Sequence, residues 1–249
     1  MSKIDSVELS DWTPCDDVDD PCIPKGLVSI LDLDSLLIQQ AVNLKEVFIG
    51  FQQENKYKVL NNSGKQCFNA FEESSCLTRQ CFRQKRGFVI KLEDKFNTEV
   101  LRIIRPFKCL ASKCCWTATF NYFQEEIIVE CPPGEAIGKV RNVCTKWHQK
   151  LEIILGSEEN EKRLAYIDGP CCSLRWFAWC LDMTFKITSA ENGDELGTLV
   201  KQFSGVAREA FTNAGQFLVT FPKDLDVRGK ALFLASVFLI DFLYFEVTC

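Results

Sequence analysis

The most apolar stretch of the chain lies near its end, in residues 231–245. Only Ser236 and Asp241 interrupt it, so a helix over this stretch would be apolar on every side. Such a helix has to be surrounded by protein or by lipid. Its fifteen residues would extend over about 22 Å, against roughly 30 Å for the hydrocarbon core of a bilayer. The length favours a helix buried inside a protein shell, with a marginal membrane span as the alternative.

Most of the remaining chain is typical of short antiparallel strands. Apolar segments of about five residues alternate with turn signals such as Asn61-Asn-Ser-Gly64 and Ala190-Glu-Asn-Gly-Asp194. This spacing predicts an antiparallel barrel or sandwich. A weak internal repeat, in which residues 135–140 resemble residues 195–200, favours two similar halves of one closed sheet. The predicted strands are 57–60, 65–71, 88–93, 99–104, 125–130, 136–140, 151–155, 163–167, 184–188, 196–200 and 217–221.

A closed barrel of this size needs a filler for its lumen, and the apolar C-terminal helix would fit there. Residues 1–26 carry an acidic run without an apolar period, which predicts a disordered tail. In residues 27–51, Leu33, Leu37 and Leu44 fall near one helical face, which predicts an N-terminal helix. The predicted organisation is a mainly β protein with an acidic N-terminal tail (1–26) and one closed antiparallel barrel domain of about twelve strands (27–249), with helices over 27–51 and 231–245.

Composition limits the classes of function. The net charge of −5 argues against a general nucleic-acid-binding protein. The first 20 residues are polar and acidic and lack the apolar stretch of a signal peptide, which predicts a protein that stays in the cytosol. In that reducing compartment the 14 cysteines are expected to be buried thiols, lipidation sites or metal ligands rather than disulfides.

The motifs of enzymes are absent from the sequence. The single histidine, His148, lies four residues after Cys144, and this pair is at most half of a zinc site. There is no Gly-rich phosphate loop and no nucleophile elbow. The sequence therefore favours a protein that is not an enzyme.

Cysteines and acidic residues provide the candidate sites. Cys114 and Cys115 lie beside a lysine and a tryptophan, a setting that suits S-acylation as well as it suits ordinary thiols. Asp224 and Asp226 stand at the start of the apolar helix, where they could simply cap it. A cation site there would need further oxygen ligands, and Asn213 can offer one.

Several segments resemble the phospholipid scramblases. The resemblance is carried by Arg208-Glu-Ala-Phe-Thr212, Phe221-Pro-Lys-Asp-Leu-Asp-Val227, Phe238-Leu-Ile-Asp-Phe242, Phe245-Glu246, Asn55-Lys-Tyr57, Cys131-Pro-Pro-Gly134, Lys146-Trp-His148 and Gly169-Pro-Cys171, in the family's order from about residue 27 to residue 247. It implies a tubby-like barrel of about twelve strands around a buried C-terminal helix. It also implies calcium-triggered, ATP-independent movement of phospholipids at the cytoplasmic face of the plasma membrane.

The sequence departs from the family pattern in its candidate sites. The family's calcium segment would place acids at Asn213, Gly215 and Asp224, and only the last is acidic here. We therefore expect weak Ca²⁺ binding by Asn213, Asp224 and Asp226. The cysteine cluster around Cys114 and Cys115 is thinned, so one or two palmitoyl chains are expected rather than many. The proline-rich arm for SH3 and WW partners is absent, and the basic nuclear-import segment is weak, so neither these partners nor a nuclear location is expected.

Two functions follow from this resemblance. The first is a scramblase, or a regulator of scrambling, that acts on phospholipids of the cytoplasmic leaflet. It would attach peripherally by acylation or as a single-pass protein through the C-terminal helix. Since a single short apolar helix supplies no polar path for head groups, a direct mechanism would need a homo-oligomer or a thinned bilayer. The second is a membrane-tethered binding or regulatory barrel with little or no calcium response.

Overall fold

The computed structural model describes residues 12–13, 23–41, 55–75, 81, 86–108, 124–143, 148–157, 159–171, 182–202 and 213–245. Its strands are β1 (Ser35–Ala41), β2 (Lys56–Asn61), β3 (Gln66–Glu73), β4 (Phe88–Glu93), β5 (Glu99–Arg105), β6 (Glu126–Glu130), β7 (Ala136–Val143), β8 (His148–Leu155), β9 (Lys162–Cys171), β10 (Met183–Ser189), β11 (Glu195–Gln202) and β12 (Asn213–Thr220). They follow one another around a closed antiparallel barrel, because β1 pairs with β12 as well as with β2. A 3-10 helix (Lys25–Ile30) precedes the barrel, and α-helix α1 (Val227–Ile240) with a π-helical turn (Asp241–Phe245) follows it.

The two ends of the barrel differ in how the strands are joined. At one end, which we call the turn end, short turns cover residues 62–65, 94–98, 131–135, 156–161 and 190–194. Gly64 and Gly193 lie in the two turns that the sequence signals predicted, with φ of +80° and +77°, a conformation that glycine adopts without strain. The opposite end, the connection end, is where the segments 42–55, 74–87, 106–125, 144–147, 172–182 and 203–212 leave the sheet.

Helix α1 enters the lumen from the turn end and fills it. From Ala231 to Ile240 no residue is more than 1% exposed, so the barrel surrounds the helix on every side. Barrels of about eight strands are filled by their own side chains, and twelve strands leave room for a helix. Close approach to β7 occurs at Gly138, where an added Cβ would lie 2.9 Å from Leu232 Cδ1. The prediction of a helix inside a protein shell is therefore confirmed.

All eleven predicted strands correspond to observed strands, from β2 to β12. The predicted N-terminal helix over 27–51 is wrong where the structure describes it. Residues 25–30 form the 3-10 helix, and residues 35–41 form β1, in which Leu36 and Ile38 are buried. The apolar run Leu36-Leu-Ile38 fits both a helical and an extended pattern. Here β1 closes the sheet between β2 and β12, so its pairing decides the conformation.

Two anchors attach the N-terminal segment to the turn end. Trp12 forms a parallel bridge with Gln66, and the Thr13 N–H donates a hydrogen bond to the Gln66 carbonyl at 2.8 Å. Further along, Gly26 of the 3-10 helix lies against Val100 of β5. The other residues of the predicted tail, 1–11 and 14–22, lie outside the described residues.

Candidate functional site

Lys230 anchors the first turn of α1 at the turn end. Its side chain is buried, and its ammonium group donates hydrogen bonds to the backbone carbonyls of Leu31, Leu33 and Lys223 at 2.5, 2.8 and 2.8 Å. An ammonium group has three N–H donors, so each of them is used. Burial lowers the pKa of Lys230, and nearby carboxylates, Asp32 foremost, oppose this shift. The lysine ties α1 to the segment before β1 and to the segment after β12.

Asp241 lies at the other end of the helix, in the π-helical turn at the connection end. The hydroxyl of Tyr57 donates a hydrogen bond to its buried carboxyl group at 2.9 Å. Burial raises the pKa of Asp241, and the charge of Lys201 and the Tyr57 hydrogen bond oppose this rise only in part. The Lys201 ammonium lies 3.7 Å from the ring centroid of Phe245. The surroundings of Asp241 thus favour its neutral form.

Two buried ion pairs lie at the connection end of the barrel, and one of them contacts the π-helical turn. Arg86 donates to Glu72 at 2.7 and 3.0 Å, and Arg105 lies 2.8 Å from the Glu125 carboxylate. Burial alone would raise the pKa of Glu72, but the hydrogen bonds and the charge of Arg86 outweigh it and hold this pKa below its usual range. The Arg86 guanidinium also lies 4.8 Å from the ring centroid of Phe242. These contacts join the strand ends to the helix.

The polar groups inside the barrel hold α1 in place. Their partners are backbone carbonyls, a hydroxyl group and opposite charges of the same chain, and the helix occupies the space between them. Their chemical role is therefore to fix the position of the helix inside a largely apolar core. The surfaces that remain for contact with other molecules are the outside of the barrel and its two ends.

The predicted calcium ligands are not brought together. Asn213 is the first residue of β12, at the connection end, whereas Asp224 follows β12 at the turn end and is exposed. Seven residue steps of a strand separate Asn213 from Thr220, or about 23 Å. Asp226 is the N-cap of α1, and its carboxylate accepts a hydrogen bond from the Arg228 N–H at 3.4 Å. One ion cannot bind Asn213 and Asp224 together in this arrangement, because calcium–oxygen distances are about 2.4 Å.

Two of the cysteines that the structure describes, Cys67 and Cys131, are buried free thiols, whereas Cys81 is exposed. Burial raises the pKa of the Cys67 thiol to about 11 and that of the Cys131 thiol to about 12, so both stay protonated at neutral pH. The predicted acylation sites Cys114 and Cys115 lie outside the described residues, within the segment that joins β5 to β6. Cys144 also lies outside them, and the backbone of His148 begins β8.

Two absences within the described part of the chain bear on the predicted sites. Within the described ranges, no three His, Cys, Asp or Glu side chains are grouped closely enough to hold a metal ion. Of the helices that the structure describes, none combines the length and the apolar character needed to cross a membrane.

Comparison with known proteins gives the family. The sequence matches the Scramblase family over residues 19–247. The chain belongs to the scramblase family. The match contains the strands, α1 and the π-helical turn, so the enclosed helix and its buried anchors belong to the family domain of this chain.

The curated relatives are named phospholipid scramblases. Phospholipid scramblase 1 of Mus musculus is 37% identical over 227 residues, which cover 90% of this chain and 65% of the relative. Phospholipid scramblase 1 of Homo sapiens is 36% identical over 239 residues, which cover 95% and 70%. Phospholipid scramblase family member 5 of Homo sapiens is 31% identical over 224 residues, which cover 90% and 78%. The chain thus spans about two thirds of the first of these relatives. No solved structure matches the chain.

Sequence reasoning missed the internal anchors of the helix. The sequence did not predict the contacts of Lys230, the Arg86–Glu72 pair or the Arg105–Glu125 pair. One signal was available, because a lysine that directly precedes an apolar helix has to find hydrogen-bond acceptors if the helix is enclosed. The identity of those acceptors depends on the closed topology.

Proposed function

We propose that the protein acts on phospholipids at the cytoplasmic face of the plasma membrane, where it moves them between leaflets or regulates that movement. The family match over residues 19–247 carries this proposal, because the relatives are named for phospholipid scrambling. The chain spans about two thirds of the first relatives, so the activity that their names describe belongs to this proposal.

The enclosed helix favours the regulatory form of this function. Head groups need a polar path to cross the hydrocarbon core of a bilayer. In the described barrel the lumen is filled by α1, whose side chains from Ala231 to Ile240 are buried among apolar strand residues. Direct movement of lipid would require the helix to leave the barrel, or several copies to build a path between them. A barrel that acts on other components of the membrane requires neither.

A weak calcium response is part of the proposal. Asn213 and Asp224 stand at opposite ends of β12, and Asp226 caps α1. A calcium ion is normally coordinated by six or more oxygen atoms. We therefore expect that calcium concentrations in the micromolar range leave the protein unliganded. Separately, we propose that acylation at Cys114 or Cys115 contributes to membrane attachment.

A leaflet-accessibility assay tests the function. The full chain is reconstituted in liposomes that carry a fluorescent phospholipid, and an impermeant quencher is added with and without calcium. Loss of signal from the outer leaflet alone, in both conditions, is the result expected for a regulatory barrel. Fast loss from both leaflets without calcium would establish direct, constitutive scrambling. Fast loss only with calcium would contradict the proposed weak response, and Asp224→Asn compared with Asp194→Asn, both in exposed turns, would then test the ligand.

A further inference from the structure

The outer surface of the barrel is densely charged on the side formed by β5 to β9. Acidic and basic side chains on this side form ion pairs along and across the strands. They are Glu99–Arg102, Lys108–Glu126, Glu126–Arg141, Arg141–Glu152, Glu152–Arg163, Lys139–Glu161 and Lys150–Asp168. This side therefore satisfies its charges within one copy of the chain.

The opposite side, formed by β11, β12 and β1, has outward side chains without charge. Leu199, Val219 and Ile38 on these strands are buried, and side chains alternate between the two faces of a strand. The residues between such buried positions therefore point outward. They are Thr198, Val200 and Gln202 on β11, Gln216, Leu218 and Thr220 on β12, and Ser35, Leu37 and Gln39 on β1. We call these nine residues, together with Leu60 of β2, the neutral face.

An apolar row crosses the middle of the neutral face. Leu37 pairs with Leu60 on one side and with Leu218 on the other, and Leu218 pairs with Val200. These four residues are half-buried, and they neither belong to the hydrophobic core nor pack against it. The apolar row thus extends over four neighbouring strands on the outside of the barrel. A contiguous apolar patch of this kind marks a contact surface.

The polar groups beside the apolar row are self-complementary. Hydroxyl groups lie on its turn-end side, at Ser35, Thr198 and Thr220, and amide groups lie on its connection-end side. Hydroxyl and amide groups both donate and accept hydrogen bonds, whereas a carboxylate only accepts and an ammonium group only donates. The neutral face can therefore form hydrogen bonds with an identical surface. It offers no charge to an anionic lipid, a nucleic acid or a charged peptide.

Two opposite charges border the neutral face at matching distances from the apolar row. Asp34 lies three residues from Leu37 toward the turn end, or about 10 Å, and Lys58 lies two residues from Leu60 toward the connection end, or about 7 Å. Both side chains are exposed. The Asp34 carboxylate accepts a hydrogen bond from the Asn62 side chain at 3.2 Å, so it lies toward β2, the strand that carries Lys58.

We propose that two copies of the chain pair through the neutral face, with the two-fold axis along the apolar row. A two-fold axis brings the same surface of both copies together. In this arrangement the apolar row meets itself, and the hydroxyl groups of one copy meet the amide groups of the other. Asp34 of each copy then lies within reach of Lys58 of the partner subunit, because the two positions differ by about 3 Å along the strands and by about one strand spacing.

The same axis keeps like charges apart. It places the turn ends of the two copies on opposite sides of the dimer. The exposed carboxylates of the turns, among them Glu135, Glu191 and Asp224, then do not face one another. A two-fold axis parallel to the strands would bring both turn ends side by side and is disfavoured by this charge.

The size of the neutral face predicts a weak, reversible dimer. Its four strands extend over about 14 Å in width. This is less than a standard interface, which buries about 800 Å² on each partner, and it fits the class of transient contacts. We therefore expect the dimer to form where the local concentration of the chain is high.

Sedimentation velocity of the full chain at increasing concentration tests the pairing. Leu37→Asp is expected to weaken dimerisation by at least about tenfold, because the axis passes near position 37 and brings two carboxylates into an apolar contact. Ile104→Asp is the matched control, since Ile104 is a half-buried, outward residue of β5 on the charged side. It should leave dimerisation unchanged. A chain that stays monomeric at every concentration, or equal effects of the two substitutions, would overturn the proposal.

Charge reversal tests the position of the axis. Asp34→Lys and Lys58→Asp are each expected to weaken dimerisation by about fivefold, because each turns two ion pairs of the dimer into like-charge contacts. The double variant restores opposite charges and should recover the natural affinity. Circular dichroism of each variant reports whether the barrel is intact. A double variant that dimerises no better than the single variants would show that the axis is wrong.

A photoreactive phenylalanine analogue at position 37 identifies the occupant of the neutral face. The expected product is a cross-link between two copies that contains position 37 of both, measured by mass spectrometry. Cross-links to phosphatidylcholine in vesicles without any chain-to-chain product would assign the face to lipid and overturn the dimer. The sedimentation measurements contain no lipid. Their failure would therefore leave the proposed function to the leaflet assay, and a negative leaflet assay would leave the dimer intact.

Discussion

At the scale of single residues, Asp241 is the most unusual group in the lumen. It is buried in the π-helical turn and accepts a hydrogen bond from Tyr57 at 2.9 Å. Burial raises its pKa in the folded protein. Its contribution to the free energy of unfolding is therefore fully present below about pH 4, the pKa of an unfolded aspartate. That contribution is lost as the pH rises through the folded pKa.

Asp241→Asn should remove this pH dependence. The amide of asparagine can still accept the Tyr57 hydrogen bond and carries no charge. We expect the stability of the variant relative to the natural protein to increase as the pH rises above about 4 and to level off above the folded pKa. Urea denaturation at a series of pH values measures this difference. Glu72 and Lys201, the other charged groups around Asp241, are present in both proteins, so a difference that does not change with pH would contradict the assignment.

The hydrogen-bond partners of the buried polar residues could not be predicted from the sequence. Tyr57 and Asp241 are 184 residues apart, and Lys230 is 199 residues from Leu31. Local patterns contain no information about which distant groups a closed sheet brings together. The calcium segment shows the opposite case, in which residues that are close in the sequence are far apart in the structure. In the sequence, residues 213–224 resemble one binding loop. In the structure, eight of them form β12 and separate the two ends of the segment.

At the scale of elements, strand alternation and turn signals were sufficient for β2 to β12. Each of these strands has an apolar face, and the turns after β2 and β10 carry glycine at positive φ. β1 was predicted as part of a helix because its apolar run also fits a helical period. Its pairing with β2 and β12 in the closed sheet makes it a strand. The enclosure of α1 was predictable, since its length and its apolar surface on every side pointed to a protein shell.

The contact between α1 and β7 depends on a missing side chain. At Gly138 an added Cβ would lie 2.4 Å from the Ile154 carbonyl oxygen and 2.9 Å from Leu232 Cδ1. The first of these atoms belongs to the backbone of β8, so relief would require β7 and β8 to separate. We expect Gly138→Ala to lower the free energy of unfolding by about 3 kcal/mol, measured by urea denaturation.

Gly215→Ala is the matched control for this substitution. Its added Cβ on β12 would find its nearest atom at 3.6 Å, an ordinary contact. We expect the stability to change by less than about 1 kcal/mol. Equal losses for both variants would mean that Gly138 is not packed against β8 and α1 as closely as described.

At the scale of the whole molecule, the barrel and its helix form one folding unit. The inner faces of the strands and α1 make up a single apolar core, which contains residues from every strand and from the helix. Without α1, the inward side chains of twelve strands would surround an empty or water-filled space. A cavity of that size removes most of the burial that stabilises a closed sheet.

Truncation after Asp226 tests this dependence directly. We expect the shortened chain to lose cooperative thermal unfolding and the β-sheet signal in circular dichroism, whereas truncation after Phe245 should leave both intact. Size-exclusion chromatography reports whether the shortened chain stays monomeric. A monomeric, folded barrel without α1 would mean that the lumen does not need the helix. The helix could then leave the barrel and insert into the membrane, and the regulatory form of the proposed function would lose its main physical support.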